Sequence, residues 1–245
     1  MTFSKDKTVA IAGLQNRLAK FYDPDGKYPI TDGISDCIRY GIVRRYLHKS
    51  LLWQRSGEQK MERINPSERI GVVPSWSWMA YQGEIQYRTS DLHGLDWQHV
   101  DLPSGAQEQH ILKGQLGRVV QSCYIEGQKD TNSKIRDAEG RLVGWIRYDC
   151  ESEDNIERLG CIAVAQHRYP THSWAVFGED ADTWKKYAGV SWDEKLVPGD
   201  FHYVLLVKCI PLEGEDVAKV YCRLGVAVIQ SGYLSFEPPL TVRVV

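Results

Sequence analysis

The sequence predicts an α+β protein, mostly β, with an N-terminal helical segment packed on an antiparallel sheet or barrel. Three observations predict it. In the first fifth of the chain, apolar residues recur at three- and four-residue steps, the helical period. From about residue 70 onward the apolar runs are short and separated by turn residues, which is the pattern of strands. The 245 residues, 42% hydrophobic and 25% charged, suffice for one full core without a disulfide or metal. The expectation is a single domain over 1–245, helical over about 1–55 and β-rich over about 70–245.

Taken in order, Ser4 is a candidate N-cap ahead of Asp6 and Lys7. Val9, Ile11, Ala12, Leu14, Leu18 and Phe21 then give one apolar stripe, so a helix is expected over about 5–20. Tyr22-Asp-Pro-Asp-Gly26 stops it. A second helix is expected over about 36–53. Ile38, Ile42, Val43, Tyr46, Leu47, Leu51 and Leu52 would form its buried face, and Arg39, Arg44, Arg45 and Lys49 its solvated one. Residues 55–71 read as a polar loop. Pro74-Ser-Trp-Ser-Trp78 places two Trp on one face if extended, and a strand follows at 83–88. Residues 89–110 read as a loop. Strands are expected at about 111–126, 141–149, 160–166, 172–178, 202–210, 217–229 and 240–245, with a short helix at 181–187. In 217–229, Val220, Cys222, Leu224, Val226 and Val228 alternate against Lys219, Tyr221 and Arg223. Tyr203 to Val207 is continuously apolar, as in a strand covered on both faces. Asp137-Ala-Glu-Gly140 and Pro211-Leu-Glu-Gly-Glu215 are turn signals.

Thirty Lys and Arg balance 32 Asp and Glu, leaving a net charge of -2. No single-sign field is available for gripping nucleic acid phosphates, so a nucleic acid partner is disfavoured. Lys5, Asp6, Lys7, Arg17 and Lys20 interrupt any export signal. No apolar run reaches the roughly 18 residues of a membrane span. A cytoplasmic location is therefore expected, and the start at Met1 suggests an entire gene product. Six cysteines without Cys-x-x-Cys spacing are expected to stay reduced, and the scattered histidines offer no metal pattern. Gly-x-Ser-x-Gly, Gly-x-Gly-x-x-Gly and phosphate-loop motifs are absent, so hydride and phosphoryl transfer are disfavoured and no cofactor is expected.

Four segments occur in a fixed order: Asp6-Lys-Thr-Val-Ala-Ile-Ala-Gly-Leu14, Ser50-Leu-Leu-Trp53, Pro74-Ser-Trp-Ser-Trp-Met-Ala-Tyr-Gln-Gly-Glu-Ile-Gln-Tyr87 and Tyr221-Cys-Arg-Leu-Gly225. Together they resemble the region downstream of the HET domain in fungal heterokaryon-incompatibility proteins. There the pieces read Asp-Lys-Leu-x-Ala-Ile-x-Gly-Leu-Ala, Leu-Leu-Trp, Pro-Ser-Trp-Ser-Trp with Asp-Gly-x-Ile-x-Tyr, and Tyr-x-Arg-Ile-Gly. The HET domain itself, which carries that family's cell-death signalling, is missing from the sequence. The resemblance therefore implies a fungal, intracellular origin and a β-rich fold, and not that activity.

Eight Trp and 13 Tyr stand against only five Phe. Such residues suit pockets and interfaces, because each joins apolar area to a polar handle. Trp53, Trp76, Trp78, Tyr87 and Trp174, with Arg168, are candidate substrate-binding residues; the alternative for the Trp set is a core joining helix to sheet. His172 lies in the His167–Trp174 segment, where Pro170 predicts a loop, and His202 and Tyr203 open a buried strand. These three are candidate catalytic residues, since a histidine titrates near neutral pH. Two functions compete. One is a cofactor-independent enzyme of fungal secondary metabolism acting on an apolar polycyclic or terpenoid small molecule, of the hetero-Diels–Alderase kind, joining a quinone methide to a terpene alkene. That link is by analogy of size and missing cofactor motifs. The other is a non-catalytic recognition module of the incompatibility system.

Overall fold

A computed structural model describes residues 15, 17–27, 30–31, 34–35, 37–56, 61–64, 73–87, 95–103, 108, 110–120, 122–126, 132–150, 156, 159–167, 200–210 and 219–245. Residues 17–22 are helical and end at the expected turn, where Gly26 takes φ +64°. The expected stripe does not hold there. Leu18 and Phe21 are exposed, and Ala19 is the buried residue, packed with Cys37 and Ile38. Its small side chain admits close approach, and the Cys37 thiol reaches the Ala19 carbonyl at 3.8 Å. The remainder of the first expected helix, the strand expected at 172–178 and the helix at 181–187 fall outside the described residues.

The second expected helix is mostly replaced by a hairpin. Ile38–Arg39 pairs with Ile42–Val43, a 3-10 turn covers Arg44–Tyr46, and only Leu47–Leu51 is α-helical. Trp53–Arg55 is a strand paired with Ile85–Tyr87. The reason is the turn: Tyr40 at φ +48° and Gly41 at φ +78° both occupy the left-handed region, which reverses the chain and cannot continue a helix. A Cβ on Gly41 would stand 2.5 Å from Trp78 Nε1, so Gly41 also lets that indole close over the turn. Arg39, assigned to the solvated face, is buried and donates to the Pro103 carbonyl at 2.6 Å.

Ten strands form one large sheet: β1 (Leu95–Trp97), β2 (Val100–Asp101), β3 (Leu112–Val119), β4 (Tyr124–Glu126), β5 (Asn132–Arg136), β6 (Leu142–Tyr148), β7 (Gly160–His167), β8 (Phe201–Ile210), β9 (Val220–Gln230) and β10 (Leu234–Val244). The order is β2-β3-β7-β8-β9-β6-β5-β4, with β1 on β7 and β10 on both β3 and β9. β3, β7, β8, β9 and β10 therefore pair around a closed ring. The sheet is mixed rather than antiparallel throughout, because β9 and β10 pair in parallel at Val220–Arg243 and Tyr221–Val244. The loop expected over 89–110 contributes β1 and β2, and the polar strand β5 carries too little hydrophobic alternation to be read from sequence.

Alternate residues of β8 serve two cores. Tyr203, Leu205 and Val207 join one with Trp53 and Trp76, while Val204 and Leu206 join the other with Ile146 and Ile229. The continuous apolar run 203–207 is thus covered on both faces. In the first half of β9 the alternation is the reverse of the expected one: Tyr221 and Arg223 are buried, and Val220, Cys222 and Leu224 are only half-buried, while Val226 and Val228 are buried as expected. Arg223 is tolerated inside because Asp149 and two backbone carbonyls meet its guanidinium.

Candidate functional site

The Trp-Ser-Trp motif forms a clasp. Residues 75–77 turn and 78–80 make a 3-10 turn, so the two indoles do not share one extended face. Ser75 Oγ accepts from Arg223 N at 2.9 Å and donates to the Val245 carbonyl. Ser77 Oγ donates to the Tyr40 carbonyl at 2.6 Å and caps Met79 N at 3.0 Å. The segment ties the 37–55 region to β9 and to the end of β10.

The structure brings Trp53, Trp76, Trp78 and Tyr87 into one corner. Trp53 is fully buried, donates Nε1 to the Trp76 carbonyl at 2.9 Å and lies 3.5 Å from the Arg223 guanidinium carbon. Trp76, also fully buried, donates to the His110 carbonyl at 3.2 Å. Trp78 is half-buried and donates to the Gly41 carbonyl at 3.3 Å. Tyr87 sits opposite Trp53 in register and is exposed. Beside this corner, Tyr40 Oη and His110 Nδ1 lie 2.6 Å apart. Burial pushes the Tyr40 phenol up, with the Arg39 charge opposing; burial and then Arg39 push His110 down. Both shifts favour an uncharged pair at neutral pH.

Tyr203 shares the larger core with Trp53 and Trp76, whereas His202 is brought together neither with that corner nor with Tyr203. His202 and Tyr203 are neighbours on β8, so their side chains leave opposite faces. His202 is 8% exposed, with Nδ1 at 2.9 Å from Ser231 Oγ and its ring against Phe236. Tyr203 lies in the larger core. His172, Trp174 and Arg168 fall outside the described residues.

A groove of about 310 Å³ opens where four ring strands converge, lined by Leu116, Arg118, Leu159, Gly160, Lys208, Cys209 and Tyr221. Register explains the gathering: Arg118 pairs with Gly160, Gly160 with Val207, and Cys209 with Tyr221. Leu116, Leu159 and Gly160 are buried and give the apolar wall, while Arg118 and Lys208 are exposed at the rim. Tyr221 is only 5% exposed, and its hydroxyl makes no hydrogen bond among the described residues. Burial pushes its phenol up, Cys209 adds to that, and the Arg118 charge opposes it. The phenol thus remains a neutral donor at physiological pH. The hydroxyl oxygen is not sealed in the core but open to the groove, where it can donate to a molecule that enters. Sequence reasoning missed this set because each residue comes from a different strand and none sits in a local motif.

Comparison with family models, with curated proteins and with solved structures finds no match for this chain. Among the described residues no group of three or more His, Cys, Asp or Glu is placed to hold a metal, and no helix is long and apolar enough to cross a membrane.

Proposed function

We propose that the protein binds a small, largely apolar organic molecule carrying a carbonyl or carboxylate oxygen in the groove between β3, β7, β8 and β9. The observation that supports this is the Tyr221 hydroxyl, without a hydrogen bond among the described residues, in a groove with apolar walls rimmed by Arg118 and Lys208. Ligand sites run from about 300 Å³ upward and combine apolar walls with a few converging polar groups. Apolar area supplies affinity, and the three donors orient the oxygen.

The finer reading is cofactor-independent catalysis on a polycyclic or terpenoid substrate, of the cycloaddition class reached by analogy of size and missing cofactor motifs. Donors aimed at a carbonyl oxygen accelerate any reaction in which negative charge grows there, by about 3 kcal/mol for one well-placed donor. Tyr221 and Arg118 would serve in that role, rather than the aromatic corner whose indole N–H groups already donate to backbone carbonyls.

Titration with 3-benzoylpropionic acid, an aryl ketone bearing a carboxylate, tests the groove by calorimetry and NMR. Saturable one-to-one binding, weakened about tenfold by Tyr221→Phe and by Arg118→Met, is expected. Absence of saturable binding, or equal binding by both variants, overturns it.

A second reading, a recognition module for a partner protein, is favoured by the outward aromatic residues Phe21, Tyr46 and Trp97. Tyr22 packs edge to face against both Phe21 and Tyr46, and Trp97 lies against His48 at 5.0 Å. Interfaces concentrate such residues. Cross-linking in an extract that captures no partner through this surface counts against it.

A further inference from the structure

We propose that Cys209 is a covalent acceptor for α,β-unsaturated carbonyl compounds bound in the groove, with Tyr221 and Arg118 holding the carbonyl oxygen. This rests on the groove reading above and names the substrate class. Cys209 lines the groove, half-buried, directly opposite Tyr221 in the β8–β9 register. An electrophile whose oxygen meets the Tyr221 hydroxyl therefore presents its conjugated carbon toward the facing strand, where the sulfur lies. Among the described residues, Cys209 Sγ makes one long contact, 3.8 Å, to the Ile210 carbonyl.

The step is a conjugate addition. The sulfur forms a bond to the β-carbon, and the C=C π electrons shift to the carbonyl oxygen as an enolate. The Tyr221 hydroxyl and the Arg118 guanidinium stabilise that charge. The proton lost by the thiol ends on the α-carbon. Net, S–H adds across the double bond, and nothing is oxidised or reduced.

The other cysteines are poorly placed for this chemistry. Cys37, Cys123 and Cys161 are buried. Burial raises Cys161 to about 12, burial together with Asp149 raises Cys150 to about 11, and burial with Asp137 raises Cys123. Thiols held protonated are weak nucleophiles. Cys222 lies next to Tyr221 on β9 and so leaves the opposite face of the strand.

The test uses 3-benzoylacrylic acid, the unsaturated congener of the ligand above, with intact-mass and peptide mapping at neutral pH. The expected result is a single adduct on Cys209, lost in Cys209→Ser and formed about tenfold more slowly in Tyr221→Phe, whose fold is checked by circular dichroism. A neutral probe, N-ethylmaleimide, should be less sensitive to Arg118→Met than the carboxylate. Adducts first on Cys150 or Cys222, or a Cys209 rate untouched by Tyr221→Phe, overturn the inference. Binding of 3-benzoylpropionic acid to Cys209→Ser separates the two claims. If it binds while no adduct forms on Cys209 in the wild type, the covalent step fails and the groove reading stands. If it does not bind, the groove reading fails.

Discussion

Arg223 grips Asp149 with two nitrogens, Nε to Oδ2 at 2.8 Å and Nη2 to Oδ1 at 3.2 Å, and neither side chain exceeds 1% exposure. The same guanidinium donates to the carbonyls of Leu51 at 2.7 Å and Trp53 at 2.6 Å. Burial pushes the Asp149 carboxyl up, and the charges of Arg223, Arg55 and Arg147 pull against that rise. One side chain thereby joins β9, the residue after β6 and the Leu51–Trp53 segment.

Arg223→Met should cost about 3–5 kcal/mol, because it strands a buried carboxylate and two carbonyls. Arg223→Lys should recover little, since an ammonium cannot reproduce the planar fork. Urea unfolding of both variants checks this. A loss below about 1 kcal/mol in Arg223→Met would show that the pair does not hold the core.

Gly41→Ala should destabilise by about 1–3 kcal/mol, from an alanine held at positive φ and from the contact with the Trp78 indole. The prediction separates hairpin from helix, since in a helical 36–53 the same substitution would stabilise by about 1 kcal/mol. Thermal unfolding reads the sign.

Acid should loosen the β5–β6 turn. Burial would raise the Asp137 carboxyl, but hydrogen bonds from Tyr233 and Arg141 and the Arg141 charge hold it down to about 2. A carboxylate depressed in the folded state contributes stability that is complete above its unfolded value near 3.9 and vanishes as pH falls through about 2. Wild-type stability should therefore fall between about pH 4 and 2 more steeply than that of Asp137→Asn. Parallel curves in that window would remove the role of Asp137. Tyr233→Phe should shrink the difference, because its hydroxyl donates to Asp137 Oδ2 at 2.8 Å.

His48 offers a fourth check. Burial lowers its pKa, the hydrogen bond to the Gln98 carbonyl opposes this, and His99 adds to the lowering. Its stability contribution is therefore present above the ordinary histidine range and is lost as pH falls through that range. Trp97 lies against its ring, so Trp97 fluorescence should change on acidification and stay flat in His48→Gln. A Trp97 signal that moves equally in both would refute the link.

Legibility from sequence followed the range of the signal. The buried part of β8 announced itself as the continuous apolar run Tyr203–Val207, and the Asp137–Gly140 turn by its residue types, with Gly140 at φ +77°. The 36–53 segment misled because its apolar residues fit a helical stripe, while the decision lay in two turn residues, one of them a tyrosine. Arg223 misled because a cation in a strand pattern ordinarily faces water. The Trp-Ser-Trp motif stood out correctly as special, yet its serines do the fastening at least as much as its indoles.

By itself the sequence determined a mostly β chain with a dense aromatic content, because period, turn chemistry and composition are local properties. Only the tertiary structure decided that Arg223 lies inside, that β9 and β10 run parallel, and that Leu116, Arg118, Cys209 and Tyr221 face one groove. Those facts depend on strand order and register, which pair residues as far apart as Leu112 and Val244. No local pattern encodes which strand will lie beside which.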